Sequence, residues 1–409
     1  MIFTGFLPNA TKKDLRIALG FLLLPWQWLL LRKGRYIRDI EEKLKNYFQT
    51  PYTYTFDSGR TALQKALEAL QIHTGDEILV QAYTCIVVSN AIRWAGGTPV
   101  YVDIQDDFNM DPHDLVLKIT NRSKVLIIQH TFGTPACLER LIMIAKQHNL
   151  IIIEDCAHSL GVKHQKKLTG TFGDIGMFSF GSDKVVSSMR GGALITHNKK
   201  IGEKIKNLQQ QLPLPSRLKT IQHLLSFPAF AIGKPLYKFG GRYFLAILKK
   251  CNILGRIIYK REKEGREVPF YPSQYANAFA AILVNQLKDI DMVNEHRKKI
   301  AHVYSTRITN KNIILPPKNE ESNYLRYTIL VHNPIHIIQA ARKQGIILGN
   351  WYDAVIAPSD SNISSANYTI HSCPHAEKIA SCSVNLPTNR SIDKRKIEKI
   401  LSFINRYGN

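Results

Sequence analysis

Asp155 and Lys184 are the two residues of this chain best placed to do chemistry together, and each follows an apolar run. Ile151-Ile-Ile-Glu-Asp155 reads as a buried β-branched strand that ends on two carboxylates, Glu154 and Asp155. A turn built from Gly170, Gly173 and Asp174 leads into a second strand, Ile175 to Phe180, whose polar tip carries Lys184. Open parallel sheets put their reactive groups at such strand ends. A carboxylate that can pair with a pyridinium nitrogen, and an amine that can form a Schiff base, are the minimum equipment for pyridoxal phosphate (PLP) chemistry.

Other elements must hold these groups. Tyr52 to Phe56 reads as a short strand, followed by the tight segment Asp57-Ser-Gly-Arg-Thr-Ala-Leu63 and a helix to about Leu70. Strand, glycine turn and helix start present backbone N–H groups to a phosphate. Ser58 and Thr61 add hydroxyls, although Ser-Gly is also an ordinary helix cap. Strands at Ile78–Val80, Val100–Val102 and Val125–Ile128 then alternate with helices at Val87–Trp94, Asp111–Ile119 and Leu138–His148. Units of this kind predict a parallel sheet covered by helices on both faces. No GxGxxG or GxxxxGK[ST] follows a strand, so neither dinucleotide nor P-loop binding has support.

The alternation stops after Gly191-Gly192 and a strand at Ala193–Thr196. Residues 199–266 are basic and apolar, broken by Pro213, Pro215, Pro228 and Pro235, with helices expected over Leu224–Ile232 and Tyr243–Ile258. A long helix is expected from Pro272 to about Asp291 and another over Val293–Ile308. A strand at Arg326–His332, a helix at Pro334–Gln344, a turn at Gly345–Gly349 and a helix at Ile392–Arg406 complete a smaller α+β unit. The division expected is 1–50, an N-terminal basic and apolar segment with a leading helix; 51–198, a PLP-binding large domain; 199–270, a helical insertion; and 271–409, a small C-terminal domain.

The chain has 409 residues and a formal net charge of +23, which suggests an anionic partner or merely a basic proteome. The basic residues are spread along the chain without a reader motif, so no nucleic-acid binding is expected. Six scattered cysteines form no disulfide framework, which points to a reducing, cytoplasmic compartment. His371, Cys373 and His375 have ligand-like spacing but no CxxC partner, and read as a loop before a helix; no metal is expected. Ile17 to Leu31 is apolar with basic flanks, shorter than the roughly 20 residues that span a bilayer, and interrupted by Pro25 and Gln27. No small-x-small cleavage site follows, which argues against a signal peptide. The stretch either lies in an anionic membrane interface, at the inner face, or packs on the enzyme body or a second subunit. Residues 199–266 carry the same alternatives: a second membrane-facing element, or a cover for the active site or a dimer contact.

The ordered pieces resemble the DegT/DnrJ/EryC1/StrS group of PLP-dependent sugar aminotransferases over most of the chain. They are Ser58-Gly-Arg-Thr-Ala-Leu63, Ala91 to Val100 with Asp103, Glu154-Asp-Cys-Ala-His158, Phe178-Ser-Phe180 with Lys184, Gly191-Gly192, Gly349-Asn-Trp-Tyr352 and Cys373-Pro-His-Ala-Glu377. The resemblance implies an α/β protein of PLP fold type I, with a mostly parallel central sheet flanked by helices and a smaller C-terminal α+β domain. It implies that Lys184 binds the cofactor and carries the proton, that Asp155 holds the pyridine nitrogen, and that His158 lies near the ring hydroxyl. Gly59, Arg60 and Thr61 would offer backbone donors to the phosphate, and Ser179 a hydroxyl. It further implies a nucleotide-sugar substrate, glutamate as amino donor, surface polysaccharide or glycan precursor synthesis, and a homodimer. The branch of the group that dehydrates sugars carries His in place of the Lys, so Lys184 argues for amine transfer. Four features depart from the group. Cys85 stands where an aromatic commonly stacks on the cofactor, with Tyr83 nearby as a substitute. Arg190 replaces an acidic residue, residues 199–266 replace an Asn-containing segment that reaches the partner subunit, and the N-terminal apolar stretch is additional. They keep open a membrane-peripheral protein with altered or lost turnover.

Overall fold

In the computed structural model, which describes residues 1–5 and 7–408, the Ile151–Asp155 strand lies at the middle of a seven-stranded sheet. In chain order the strands are β1 (Tyr52–Phe56), β2 (Glu77–Gln81), β3 (Thr98–Val102), β4 (Ser123–Gln129), β5 (Ile151–Asp155), β6 (Ile175–Ser179) and β7 (Gly192–Thr196). They lie in the order β1-β7-β6-β5-β4-β2-β3, and only β7 runs antiparallel to its neighbours. The inner strands are near-continuous apolar runs because both faces are covered. Along β4, Val125 and Ile127 enter one core while Leu126 and Ile128 enter another.

Before the sheet come α1 (Lys12–Leu23) and α2 (Arg35–Phe48). The crossovers are α3 (Gly59–Ala69), α4 (Ile86–Trp94), α5 (Pro112–Lys118) and α6 (Leu138–Gln147). On α2, Ile40, Leu44 and Phe48 recur every four residues and form its buried stripe. α1 starts on a capping box between Thr11 and Asp14. Asp14 is fully buried and also accepts from the Asn285 and Gln286 side chains, which clamps the first turn of α1 to the protein body.

After β7 come α7 (Lys199–Gln211), α8 (Arg217–Leu224), α9 (Ser226–Gly233), α10 (Gly241–Lys250) and the single turn α11 (Lys260–Lys263). The helix expected to run from Tyr243 to Ile258 ends at Lys250. The chain returns to α8, where Gly255 N–H donates to the Gln222 carbonyl and a Cβ at 255 would sit 2.3 Å from the His223 ring. The helix expected from Pro272 starts only at Asn277, as α12 (Asn277–Gln286). Its would-be first turn is extended instead: Gln274 bridges Phe56, and Ser273 N–H donates to Asp57 Oδ2 at 2.7 Å.

α13 (Ile290–Arg307), α14 (Pro334–Lys343), α15 (Pro374–Cys382) and α16 (Lys394–Arg406) accompany a three-stranded antiparallel sheet: β8 (Ile313–Ile314), β9 (Tyr327–Val331) and β10 (Ser383–Leu386). Its core holds Tyr304, Ile329, Ile337, Val384 and Ile404. Ile346–Ile347, expected as part of a turn, pairs in parallel with Ile2–Phe3. The chain start is therefore tied to the C-terminal unit by a pairing that no local pattern announces.

Candidate active site

A cavity of about 750 Å³ opens at the C-terminal ends of β5 and β6. Asp155, His158, Ser179 and Lys184 all line it, as do Gly59 and Arg60 from the start of α3. The pleat delivers Asp155 there: it ends β5, paired with Gln129 on one side and Met177 on the other. Its Oδ1 accepts from Ala157 N–H at 3.0 Å. Burial raises the Asp155 pKa, and Lys184 is among the charges that oppose that rise. Burial in turn lowers the Lys184 pKa to about 8, while Asp155 and Cys85 pull it back up. The carboxylate and the amine thus share one enclosed space and sense each other's charge.

Glu154, one residue earlier, points away. It accepts from the N–H groups of Gly170, Phe172 and Gly173 at 2.6–2.8 Å and lies 3.1 Å from His130 Nε2. These bonds hold the turn into β6 and leave Asp155 as the carboxylate at the cavity. His158 accepts from Phe132 N–H at Nδ1, 3.2 Å, which puts its ring proton on Nε2. Its ring stacks on Phe132 at 5.7 Å, and burial together with Lys184 and Arg326 holds its pKa well below the usual value. A neutral imidazole with an Nε2–H donor results.

One end of the cavity is built around α3. Gly59 packs so closely on β6 that a Cβ there would lie 2.9 Å from Ser179 Cβ, and a Cβ at Gly192 would lie 2.5 Å from the Ser58 carbonyl. Only glycine lets the helix start approach the strand ends. Thr61 does not join this end, in contrast to the sequence expectation. Its N–H is taken by Ser58 Oγ and its hydroxyl donates to Asp57 Oδ1 at 2.7 Å. Ser58 likewise spends its hydroxyl on Asp57. Arg60 lines the cavity, but its guanidinium forms an ion pair with the fully buried Glu262 of α11 and donates to the Ile257 carbonyl at 2.6 Å. Burial and the nearby Arg190 lower its pKa to about 10.

Arg190, known from the sequence only as a departure from the group, joins the site. It is buried, lines the cavity and stacks 3.7 Å above the Tyr271 ring. Its Nε and Nη2 have no hydrogen-bond partner among the described residues. Buried, unpartnered guanidinium nitrogens beside a helix N-terminus fit a phosphate monoester. Together with the Asp155–Lys184 pair, the lining meets the needs of PLP.

The C-terminal unit closes one side. Arg326, 3.7 Å from Asp183, lies at the cavity with Gly349, Trp351 and Tyr352. Trp351 N–H donates to Asn385 Oδ1 of β10 at 2.8 Å, which fixes that loop. Cys85 lines the cavity, whereas Tyr83 lies behind it, bonded to Ser383 and packed edge-on against Tyr352 at 5.2 Å. The ring available as a wall is therefore Tyr352, not Tyr83. His371, Cys373 and His375 turn to separate partners: Glu377, the Tyr101 carbonyl and Asp106.

The model of the DegT/DnrJ/EryC1/StrS aminotransferase family matches residues 23–223 and 248–405. The chain belongs to this family. Its sheet and strand order are those of PLP fold type I, as the motifs led one to expect. GDP-perosamine synthase of Escherichia coli O157:H7 is 36% identical over 205 residues, an alignment that spans 50% of this chain and 56% of that protein. UDP-N-acetyl-3-dehydro-alpha-D-glucosamine 3-aminotransferase of Acidithiobacillus ferrooxidans is 26% identical over 399 residues, 97% of this chain and 94% of that one. Among solved structures, DesV of S. venezuelae in complex with a ketimine intermediate superposes with a TM-score of 0.75 at 21% identity, covering 97% and 94% of the two chains. NtdA from Bacillus subtilis with bound cofactor PMP gives 0.76 at 20% identity, covering 99% and 84%. The family model skips residues 224–247, the part of the insertion that holds α9 and most of α10.

Proposed function

We propose that this family member uses PLP to transfer an amino group from glutamate to a keto-sugar carried on a nucleotide. The observation that carries the reading is the meeting of Asp155 and Lys184 in one cavity whose other end is the α3 N-terminus with Arg190. The substrate class follows the names of relatives such as GDP-perosamine synthase, and the donor and a homodimeric working unit follow the family resemblance.

Bound PLP supplies an electron sink on which an amino group can pass from donor to acceptor. Asp155 would keep the ring nitrogen protonated, its carboxylate steadied by Ala157 N–H. The Gly59 and Arg60 N–H groups, Ser179 and Arg190 would hold the phosphate. The neutral His158 would offer Nε2–H to the ring hydroxyl. With its pKa lowered to about 8, Lys184 would be partly unprotonated near neutral pH, able to hold the cofactor and to move a proton at Nζ. The small-domain wall, with Tyr352 and Arg326, would keep water from that amine. A cytoplasmic location suits nucleotide-linked substrates and is part of the proposal.

A panel of nucleotide-linked keto-sugars incubated with the holoprotein and glutamate tests the reading. A mass change equal to replacing C=O by CH–NH2 in one of them is expected. Loss of oxygen without nitrogen gain would instead favour a dehydratase.

A further inference from the structure

Two segments outside the family model, before residue 23 and over residues 224–247, pack against each other. α1 packs on α8 and α9, and α9 packs on α10. Their inner residues Ala18, Phe21, Phe227, Phe230 and Leu245 share a core. The outer residues are apolar as well. Leu23 at the end of α1 and Trp26, Trp28 and Leu29 after it are exposed, with Leu29 at 79%. Leu236, Phe239, Tyr243 and Ile247 are exposed along α10 and the turn before it, with Phe239 at 86%. Isolated exposed leucines need no explanation, but eight exposed apolar residues on helices packed through one shared core mark a docking surface.

Charge identifies what docks. No Asp or Glu occurs from Lys204 to Arg261 or from Leu15 to Arg38. The apolar face is rimmed by exposed Arg16, Lys33, Arg35, Lys238, Arg242 and Arg256. Apolar residues with two tryptophans, inside a basic rim with no acidic member, are complementary to an anionic lipid surface. A second copy is a poor occupant, since a two-fold contact would set this basic rim against itself. No helix among the described residues is long and apolar enough to cross a bilayer, so the contact is interfacial. We propose that the face formed by the end of α1, the turn after it and α10 binds the surface of an anionic phospholipid bilayer.

The same elements reach the active site. Lys249 and Lys250 at the end of α10, then Arg256 and the half-exposed Ile257, line the cavity. Docking therefore sets the cavity wall beside the lipid headgroups. The membrane contact itself does not rest on the catalytic reading.

Flotation of the holoprotein with vesicles of phosphatidylglycerol and phosphatidylcholine, against vesicles of phosphatidylcholine alone, tests this. Binding is expected on the anionic vesicles only and is expected to fall with salt. Lys238→Gln/Arg242→Gln should weaken it on the order of tenfold, and Phe239→Glu/Ile247→Glu should abolish it. Both variants change exposed side chains, and sedimentation velocity reports their mass in solution. Three results would overturn the proposal: no flotation of the wild-type protein on anionic vesicles, flotation that ignores both variants, or a fall in oligomer mass in Phe239→Glu/Ile247→Glu. The last would make the face a contact between copies.

Discussion

Asp155 and Ser179 reach the cavity from the ends of strands that have a paired neighbour on each side. Lys250, Arg256 and Ile257 reach it from a helix end and an irregular segment that lie outside the sheet. The floor is positioned by a ladder of backbone bonds, so its residues are fixed by register. The roof is positioned by side-chain packing and by scattered polar contacts, among them the Arg60–Glu262 pair and the Gly255 N–H bond to the Gln222 carbonyl. A floor of that kind suits chemistry that tolerates little displacement, and a roof of this kind suits recognition of substrates and surfaces. Mutations should accordingly separate the two. On the floor, Asp155→Ala is expected to lower kcat on the order of a thousandfold or more. Steady-state kinetics at saturating PLP would check it, and a change confined to KM would break the division.

The floor was legible in the sequence for a physical reason. A β-branched run buried on both faces must end where its first charged residues appear, and Glu154 and Asp155 mark that end. Pleat alternation sends the two carboxylates to opposite faces, so one is structural and the other lines the cavity. Arg190 was visible as a departure from the group, but its place in the cavity was not legible, because that depends on stacking against Tyr271, far along the chain. The partner of the Arg60 side chain was not legible for a similar reason. The motif foretold a backbone donor, whereas its side chain finds Glu262 in a segment that local patterning described only as basic and apolar. Helix ends failed where distant contacts intervened, at Gly255 against His223 and at Ser273 against Asp57.

Next in size is the Arg60–Glu262 pair. Glu262 is fully buried, and its Oε2 also accepts from Tyr259 N–H at 2.7 Å. Glu262→Ala leaves the Arg60 charge buried without its partner, at a cost of about 3–5 kcal/mol. Urea unfolding should show a lower midpoint, and an unchanged midpoint would mean that roof and floor are not coupled there. Smaller is the effect of Lys250→Ala, expected to raise KM for the acceptor by about tenfold, one ordinary charge-assisted contact, with kcat held. A fall in kcat would place roof residues in the chemistry and erase the contrast.

The smallest effects concern pH. The folded Lys184 pKa of about 8 lies below that of an unfolded lysine. Between those two values the unfolded chain binds more protons, so the stability of the PLP-free protein should rise with pH across that window. Lys184→Met should lose this rise, and urea midpoints at several pH values would show it. Capture of PLP by the same PLP-free protein should quicken by about tenfold per pH unit below 8 and level off above, as the neutral amine fills. A stopped-flow absorbance profile that levels off only near the ordinary lysine range would contradict the burial of that amine.

The most direct test is chemical. Borohydride reduction of the holoprotein, followed by peptide mass mapping, is predicted to leave a pyridoxyl group on the peptide bearing Lys184, and none anywhere in Lys184→Ala. A pyridoxyl mass on another lysine, or no fixed cofactor in the wild-type protein, would contradict the account.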